Sequence, residues 1–503
     1  MKKVSLILII AMLAMVISAC SSNSNPPANS SGGEKPESGS TDTGQPNSGE
    51  PVTLKIVYKD EGTTNPVSVK FFQTLEKALL KDEGLNVKFE LVDLAQGSYA
   101  ENLNLLLLGG TIPDIIYFQG GDQQISDQGL LEDLKPYIEK SKYIKSIMEP
   151  HNKTRMDSYP YLLWVKPLGS KTPVVREDWL KAMDSSKALL ENPTVDNYYA
   201  FFKELTEKKP GGGKPGYALT AAGDIAEINT IFNSAFGLDT TWLKKDDGTY
   251  EFAKISQKEK EKLAFYNKLY SEGLLDPQFI TKQWDTKEDA FYKGEAAVIT
   301  GTAGKIIDLY NSRMTELNGA GAKLVVLPPA KGEGQGFGAT DVTKESRGLA
   351  ISSQSAHKDV AFQIFDYLAS PKGQMLDRLG FENEHYKVVD GQIELNDKYY
   401  SEWYARFWEP QEMKPETPLK TPLLGEPGTK SLQAAADFYT EDNSFIIPEQ
   451  YVASWDAMNN LYKEYATDFI TGKKPLSEFD KFVEAWNAAG GTDLTKYANE
   501  NIK

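Results

Sequence analysis

The sequence has one cysteine among 503 residues, and this scarcity excludes several kinds of chemistry. With one thiol, the chain forms no internal disulfide and no thiolate metal cluster. Its three histidines are scattered and form no HExxH pattern, and the glycines of "GEGQGFGA" do not have GxGxxG spacing. We therefore predict no cofactor, no metal site and no catalytic residues, so that the protein is not an enzyme. The three histidines are His151, His357 and His385.

Basic residues are also in the minority. The chain has 55 Lys and Arg against 71 Asp and Glu, for a net charge of -16. Removal of Lys2 and Lys3 with an N-terminal signal makes the net charge -18. A surface this acidic argues against nucleic acid as a partner, because phosphate neutralisation needs basic side chains. Beyond the N-terminus there is no run of 18 or more apolar residues, so the body of the chain is not predicted to span a membrane.

The position of the cysteine indicates its role. The chain begins "MKKVSLILIIAMLAMVISAC", a basic start followed by an apolar run. Ile17-Ser18-Ala19-Cys20 resembles the bacterial lipobox, which directs attachment of diacylglycerol to the cysteine and cleavage just before it. We predict a signal peptide over 1–19 and lipidation of Cys20, which would hold the protein on the outer face of the membrane, most simply in a Gram-positive cell. The alternatives are a plain secretory signal and a retained anchor.

The next thirty residues have no Val, Ile, Leu, Met or aromatic side chain. Nothing in them offsets the entropy lost on ordering, so we predict a lipidated and disordered tether over 20–50 with a reach of roughly 30 Å. From about Val52 the composition becomes that of a globular protein. About 450 residues exceed one ordinary domain.

The body begins with alternating strand and helix patterns. The stretch "VTLKIVYKD" predicts a strand over 52–58, and Phe72, Leu75 and Leu79 follow at helical spacing. A second strand, a second helix and the buried strand "PDIIYFQGG" complete a β-α-β-α-β pattern, which predicts a parallel sheet. Residues 160–285 are mostly helical, and strand patterns then return. This order predicts an α/β protein with two lobes that the chain crosses more than once.

Polar side chains follow the first and third predicted strands. Asp60 and Glu61 follow the first, and Gln119 and Asp122 follow the third. Ligands of open α/β sheets bind at the carboxyl ends of the strands. We therefore expect these four residues to contact a ligand.

One region resembles a known family. "LNLLLLGGTIPDIIYFQGGDQQISDQGLLEDLKPYI" is similar to the signature of the extracellular solute-binding proteins of family 1, lipoproteins that serve ABC importers. "REDWL", "YNKLYSEGLLDPQFI", "AFYKGEAAVITGTAG" and "ISSQSAHKDVAFQIFDYLASPKGQ" match further along in the family's order. "GFENEHYKVVDGQIEL" is similar to the long, oligosaccharide-binding subgroup of Gram-positive bacteria. The loop "KKPGGGKPGYALT" departs from that subgroup because it supplies no carboxylate for calcium.

The resemblance implies a helix-rich, two-lobed fold of the periplasmic-binding-protein type II, with a hinge and a ligand cleft between the lobes. The expected first lobe is 51–165 plus about 285–335, and the expected second lobe is about 166–284 plus 336–503. The implied function is capture of an oligosaccharide by lobe closure and its delivery to the permease subunits of an ABC importer. We expect a monomer.

A sugar needs flat aromatic faces and hydrogen-bonding groups, and the chain has 8 Trp and 25 Tyr. Trp455 and Trp486 lie at helical spacing with apolar residues, so we assign them to packing. The net negative charge disfavours a uronic acid polymer unless an arginine lines the cleft. The expected ligand contacts, besides the four strand-end residues, are Trp164, Trp284, Trp403, Trp408, Tyr159, Arg176 and Arg347.

Three alternative functions remain open at this point. The same fold could bind a peptide, a polyol or another solute. A surface enzyme acting on polysaccharide would need two carboxylates at a set separation, which a sequence does not reveal. A cell-wall adhesin or structural lipoprotein would bind no small solute.

Overall fold

The computed structural model describes residues 50–340 and 344–502. The predicted signal peptide, Cys20 and the tether up to residue 49 lie outside the described residues. In the described part of the chain, no helix combines the length and the apolar character needed to cross a membrane.

Helices and short strands alternate along the body. The strands are β1 (Val52–Val57), β2 (Val87–Leu91), β3 (Ile115–Gln119), β4 (Lys171–Arg176), β5 (Tyr217–Leu219), β6 (Trp242–Lys244), β7 (Tyr250–Phe252), β8 (Ala296–Thr302), β9 (Leu324–Val326), β10 (Ala339–Thr340), β11 (Arg347–Ile351), β12 (Tyr386–Val389), β13 (Gln392–Leu395) and β14 (Thr440–Glu441). The helices are α1 (Pro66–Glu83), α2 (Tyr99–Leu108), α3 (Asp122–Asp127), α4 (Lys135–Lys140), α5 (Ile144–Ile147), α6 (Pro150–Ser158), α7 (Glu177–Ala182), α8 (Ser186–Glu191), α9 (Val195–Lys208), α10 (Ala226–Phe232), α11 (Gln257–Ser271), α12 (Trp284–Tyr292), α13 (Lys305–Asn318), α14 (Lys358–Ala369), α15 (Pro371–Gln374), α16 (Asp397–Glu402), α17 (Glu426–Asp437), α18 (Glu449–Thr471), α19 (Phe479–Trp486) and α20 (Thr492–Asn501).

The first sheet has the order β11-β3-β1-β2. Strand β1 pairs in parallel with both β2 and β3, as the β-α-β-α-β pattern predicted. Strand β11 pairs antiparallel with β3, so that Leu349 lies opposite Tyr117. One edge of this sheet therefore carries the carboxyl ends of β1 and β3 together with the start of β11.

The capping residues of helix α1 and the spacing of its apolar side chains explain where the helix begins and ends and which face is buried. The Asn65 side chain accepts hydrogen bonds from the first turn, and Gly84 ends the helix with φ at 69°. Phe72, Leu75 and Leu79 are buried against the first sheet, as their spacing predicted. Burial of each such side chain contributes about 1.5–3 kcal/mol.

The second sheet has the order β5-β8-β4-β9. Strands β4 and β8 are antiparallel, so that Lys171 lies opposite Thr302. The long C-terminal helix α18 and helix α19 pack with α11 in the core beside this sheet. There Trp486 is buried and stacks on Phe252 with ring centroids 4.9 Å apart, so it is a packing residue as predicted.

The sheets correct the predicted boundaries of the lobes. Strands β8 and β9, which we assigned to the first lobe with 285–335, pair with β4 in the second sheet. Strand β11, assigned to the second lobe with 336–503, pairs with β3 in the first. A local pattern predicts that a stretch is a strand but not which distant strand it pairs with.

We therefore use "first lobe" for residues 51–165 and 347–423, whose side chains pack around the first sheet. We use "second lobe" for residues 171–330 and 426–502, which surround the second sheet. With these bounds, the chain passes between the two lobes three times.

Candidate functional site

The first-lobe edge is formed by the residues at the carboxyl ends of β1 and β3 and at the start of β11. Asp122 is only 1% exposed, and its carboxylate accepts hydrogen bonds from the Tyr161 hydroxyl, at 3.0 Å, and from the Ser346 hydroxyl. Gln119 lies opposite Arg347 in the sheet. The structure thus brings Gln119, Asp122 and Arg347 together. Both oxygens of Asp122, however, already accept hydrogen bonds from the protein, and one of these bonds holds Ser346 in place.

Arg155, which the sequence did not single out, organises this edge. Its guanidinium is buried and donates to the carbonyl oxygen of Leu162 at 3.0 Å and to that of Glu345 at 2.7 and 2.9 Å. It also donates to the Arg347 carbonyl oxygen. Burial lowers the pKa of Arg155 to about 10. These bonds tie the start of β11 to the chain after α6.

Trp164 lies beside two arginines at this edge. The guanidinium carbons of Arg155 and Arg347 are 5.5 and 5.4 Å from its ring centroid. Within the described residues its buried indole nitrogen has no hydrogen-bond partner. Arg347 also lies 3.3 Å from Glu345. Trp164 and Arg347 remain candidates for ligand contact. Tyr159 is buried, and its hydroxyl donates to the Lys344 carbonyl oxygen at 2.7 Å, which is a structural role.

Two expected tryptophan contacts are wrong. Trp403 and Trp408 are fully buried in the core of the first lobe. Their indole nitrogens donate to the carbonyl oxygens of Asp377 and Phe365, at 3.2 and 2.8 Å. Their irregular surroundings in the sequence suggested exposure. Irregular backbone can nevertheless be buried when its polar groups find partners, as these do.

Glu61 is also a structural residue. Its side chain is buried and lies 2.9 Å from the guanidinium of Arg406. Burial raises the pKa of Glu61, and the nearby guanidinium opposes that shift. Neighbouring Asp60 is exposed and has a left-handed backbone, with φ at 63°. Asp60 therefore stays available to a ligand, whereas Glu61 does not.

The second lobe carries a different kind of site, which we name the Trp284 site after Trp284, Lys171, Lys287 and Glu227. The Trp284 side chain is 41% exposed at the start of α12. The ammonium of buried Lys287 lies 3.5 Å from the ring centroid, and that of Lys171 lies 5.0 Å away. Glu227 Oε1 accepts from both lysines, at 2.9 and 3.2 Å. The indole is therefore held from one side by a cation and leaves a large part of its surface free.

The Trp284 site lies at the edge of the second sheet where β8 ends, because Lys171 is opposite Thr302. Six residues separate Trp164 from Lys171, so the backbone makes seven steps between them, and at full extension the two are at most ~25 Å apart. Arg176 lies at the other end of β4, pairs with Asp178 at 2.6 Å and stacks on Trp179. Arg176 is therefore a structural residue and not the ligand contact that we expected.

A pocket in the second lobe was not predicted. It has a volume of about 210 Å³ and lies where α10, α11 and α18 meet the segment 238–254. Phe252, Trp455 and Tyr462 supply aromatic walls. We call it the second-lobe pocket. Its remaining lining residues are Asn229, Asn233, Leu238, Thr240, Thr241, Ala253, Lys254, Glu259 and Lys262.

Trp455 shows why the pocket was missed. Its ring contacts Phe252 at 5.5 Å in an edge-on arrangement, so it packs as predicted, and it also lines the pocket. Helical spacing indicates which residues share a face, but not whether that face is filled. The one sequence signal for the pocket is the pair Asn229 and Asn233, which are four residues apart and so share a helix face.

One group of side chains has the composition of a metal site. Glu384, His385 and Glu402 have ligand atoms within 4.8 Å of one another. Lys398 lies 2.6 Å from Glu384 and 3.1 Å from Glu402, and His385 Nδ1 already accepts from the Phe381 backbone N–H. The carboxylates are thus neutralised by lysine, and we assign the group to a surface ion-pair network.

Comparisons with known proteins agree on the family. Residues 65–375 match the family model of the bacterial extracellular solute-binding proteins. The lipoprotein LipO of Bacillus subtilis is 24% identical over 498 residues, which cover 92% of this chain and 94% of LipO. The polygalacturonan/rhamnogalacturonan-binding protein YtcQ of the same organism is 23% identical, over 85% of this chain and 88% of YtcQ. The solved structure of the Streptococcus pneumoniae substrate-binding protein FusA with kestose has a TM-score of 0.63 at 15% identity, over 89% of this chain and 98% of FusA. This last likeness shows the two-lobed fold.

Proposed function

Because the chain belongs to the bacterial extracellular solute-binding proteins, we propose that it is a lipid-anchored receptor that captures an oligosaccharide between its lobes and delivers it to the permease of an ABC importer. Proteins of this family bind solutes for ABC importers, and the chain is not an enzyme. The main observation in favour of a sugar as the solute is the second-lobe pocket, in which aromatic rings lie beside amide, hydroxyl and charged groups. Sugars present both apolar C–H faces and hydroxyl groups, and these two kinds of wall match them.

Two further observations support an oligosaccharide. Trp284 presents an exposed indole at the edge of the second sheet, where a sugar ring can stack. The names of two similar proteins also state a carbohydrate: YtcQ is a polygalacturonan/rhamnogalacturonan-binding protein, and FusA was solved with kestose.

The membrane anchor rests on the sequence. Cys20 follows an apolar run and a lipobox-like tripeptide, and the similar LipO is named a lipoprotein. We propose that the protein works on the outer face of the cell membrane as a monomer. Mass spectrometry of the membrane fraction should find the mature N-terminus at Cys20 with diacylglycerol attached. An unmodified N-terminus in the medium would contradict the anchor.

The test of the function is a thermal-shift screen of the mature chain, with Cys20→Ser to remove the lipid, against plant and bacterial oligosaccharides. A ligand at a hundredfold excess over its Kd adds about 2.7 kcal/mol to the stability of the folded state and raises the Tm. We expect at least one oligosaccharide to raise the Tm and to be recovered uncut by chromatography. If the sugar is cut, the protein is an enzyme. If peptides alone raise the Tm, the solute is not a sugar.

A further inference from the structure

The second-lobe pocket has one carboxylate among its described lining residues, and that carboxylate is already neutralised. Glu259 lies 2.9 Å from the ammonium of Lys262 through Oε2. Its other oxygen, Oε1, accepts a hydrogen bond of 2.6 Å from the Tyr462 hydroxyl. Glu259 therefore has little capacity left to accept hydrogen bonds from a ligand.

The two asparagines of the pocket present donors. Lys262 can only donate, so its 2.8 Å contact with Asn233 fixes the bonded atom as the amide oxygen. The Tyr266 hydroxyl likewise donates to the amide oxygen of Asn229, at 3.1 Å. In both residues the amide oxygen already accepts a hydrogen bond from a described side chain, so the NH2 group is the part that can donate to a ligand. Because the two lie four residues apart, both NH2 groups belong to the same face of α10 and its C-cap.

Lys254 adds a positive charge that no described residue pairs with a salt bridge. Its ammonium lies 4.6 Å above the Tyr462 ring, and in the described part of the chain it has neither a salt bridge nor a hydrogen-bond acceptor. Burial lowers the pKa of Lys254, which Glu259 opposes. Among the charged groups near Lys254, the carboxylates of Glu259 and Asp224 favour its charged form, and the ammonium groups of Lys262 and Lys463 disfavour it. Among the described lining residues of the pocket, the two lysines Lys254 and Lys262 outnumber the single carboxylate, Glu259.

A partly buried ammonium without a partner is unfavourable, and a ligand that supplies an anion removes that cost. The pocket is large enough for a group well beyond a single water molecule. Its donors are two amides and one ammonium, and its walls include Phe252 and Trp455. These features together select a ligand that has an anionic acceptor on a ring with apolar faces.

We propose that the second-lobe pocket binds the carboxylate of an acidic sugar unit, with Lys254 as its ion-pair partner and the amides of Asn229 and Asn233 as hydrogen-bond donors. This inference rests on the proposed function and gives it a substrate class, the uronic acid oligosaccharides. It reverses the expectation from net charge, because the described lining of the pocket carries two lysines and one glutamate within a chain whose net charge is -16.

The test compares each acidic trisaccharide with its own methyl ester, which keeps the skeleton and removes the charge. Trisaccharides of galacturonate, mannuronate and glucuronate are titrated calorimetrically into the mature chain at low salt. We expect at least one acid to bind tighter than its ester by about tenfold or more. Lys254→Met should reduce that preference below about threefold, whereas the exposed Lys244→Met, which removes the same charge from β6, should leave it unchanged.

A second variant changes a different residue of the pocket, so that a folding defect in Lys254→Met alone does not decide the test. Asn229→Asp replaces one donor with a negative acceptor while keeping the bond from Tyr266, and it should also remove the preference for the acid. If every ester binds as tightly as its acid, or if the preference survives in both variants, the carboxylate assignment is wrong. If neutral oligosaccharides bind and no acid is preferred, the receptor function stands and only its substrate class fails. If no sugar of any kind binds, the proposed function fails as well.

Discussion

The two lobes present their polar groups differently. At the first-lobe edge, Asp122 and Arg155 are hydrogen-bonded and Glu61 is ion-paired with Arg406. The buried indole nitrogen of Trp164 is the exception, since it has no hydrogen-bond partner among the described residues. In the second lobe, Trp284 exposes its ring, and Lys254 and the Asn233 amide keep unused donors. From this difference we expect the charged groups of the first-lobe edge to hold the crossing segments in place and the second lobe to supply most of the ligand recognition.

The largest expected effect on stability comes from Trp408, which the sequence analysis grouped with Trp284 as a ligand contact. Trp408→Ala removes a fully buried ring and its hydrogen bond to the Phe365 carbonyl oxygen, and should lower the free energy of unfolding by about 3–5 kcal/mol. Trp284→Ala removes a partly exposed ring and should cost less than about 1 kcal/mol. Equilibrium urea unfolding measures both. Equal losses would contradict the assignment of Trp408 to the core and of Trp284 to a surface site.

Arg155→Met should have the next largest effect. The substitution leaves three buried carbonyl oxygens without their charged donor and should lower the free energy of unfolding by about 3 kcal/mol. Lys153→Met on the same helix removes an exposed charge and serves as the matched control, with an expected change within about 0.5 kcal/mol. A loss at position 155 no larger than that at 153 would show that Arg155 does not organise the edge.

Asp122→Asn tests whether this buried carboxylate stabilises the first-lobe edge. The amide keeps the shape but can accept through one oxygen only, so one of the bonds from Tyr161 and Ser346 is lost. We expect a loss of about 2 kcal/mol in urea unfolding. Asp127→Asn, at the exposed end of the same helix, should change little. If Asp122→Asn abolishes ligand binding without loss of stability, Asp122 is a ligand contact after all.

Substitution of Glu204 has the smallest expected effect on stability, and that effect depends on pH. Burial alone would raise the pKa of Glu204, but hydrogen bonds from Lys208, Ser185 and the backbone of Asp184 lower it to about 2. Since the folded-state pKa lies below the usual 4.5, the stabilisation is present above that value and is lost as the pH falls toward 2.

After allowance for solvent screening, Glu204→Gln should cost about 1 kcal/mol at pH 7, and the difference from the unsubstituted chain should vanish near pH 2. Exposed Glu207→Gln on the same helix should show no such trend. Urea unfolding at several pH values checks this. A cost that is constant with pH would show that Glu204 is not held as the carboxylate.

Much of the fold could be predicted from the sequence, because periodicity is a local signal. The alternation in β1 and the spacing of Phe72, Leu75 and Leu79 led to the parallel pairing of β1 with β2 and β3. The placement of β8 with β4 could not be predicted, because pairing between strands so far apart in the chain depends on packing that no local pattern records.

The site was less predictable than the fold. The exposed indole of Trp284 remains a candidate. The sequence predicts ligand contacts at Trp403 and Trp408, which are buried, because irregular segments resemble exposed ones in sequence. Lys254 gave no signal at all. Its proposed role comes from the lack of a partner among the described residues, and that property exists only once α10, α11 and α18 have packed together.

The most direct test of the central claim is a calorimetric comparison of ligand affinity between variants of the two lobes. With an acidic oligosaccharide found in the screen, Trp284→Ala and Lys254→Met in the second lobe are compared with Asp122→Asn and Arg155→Met in the first, at a temperature where all four are folded. We predict that the second-lobe variants lose about tenfold or more in affinity and that the first-lobe variants bind within about threefold of the unsubstituted chain. The reverse order would contradict the account, because it would place ligand recognition at the first-lobe edge.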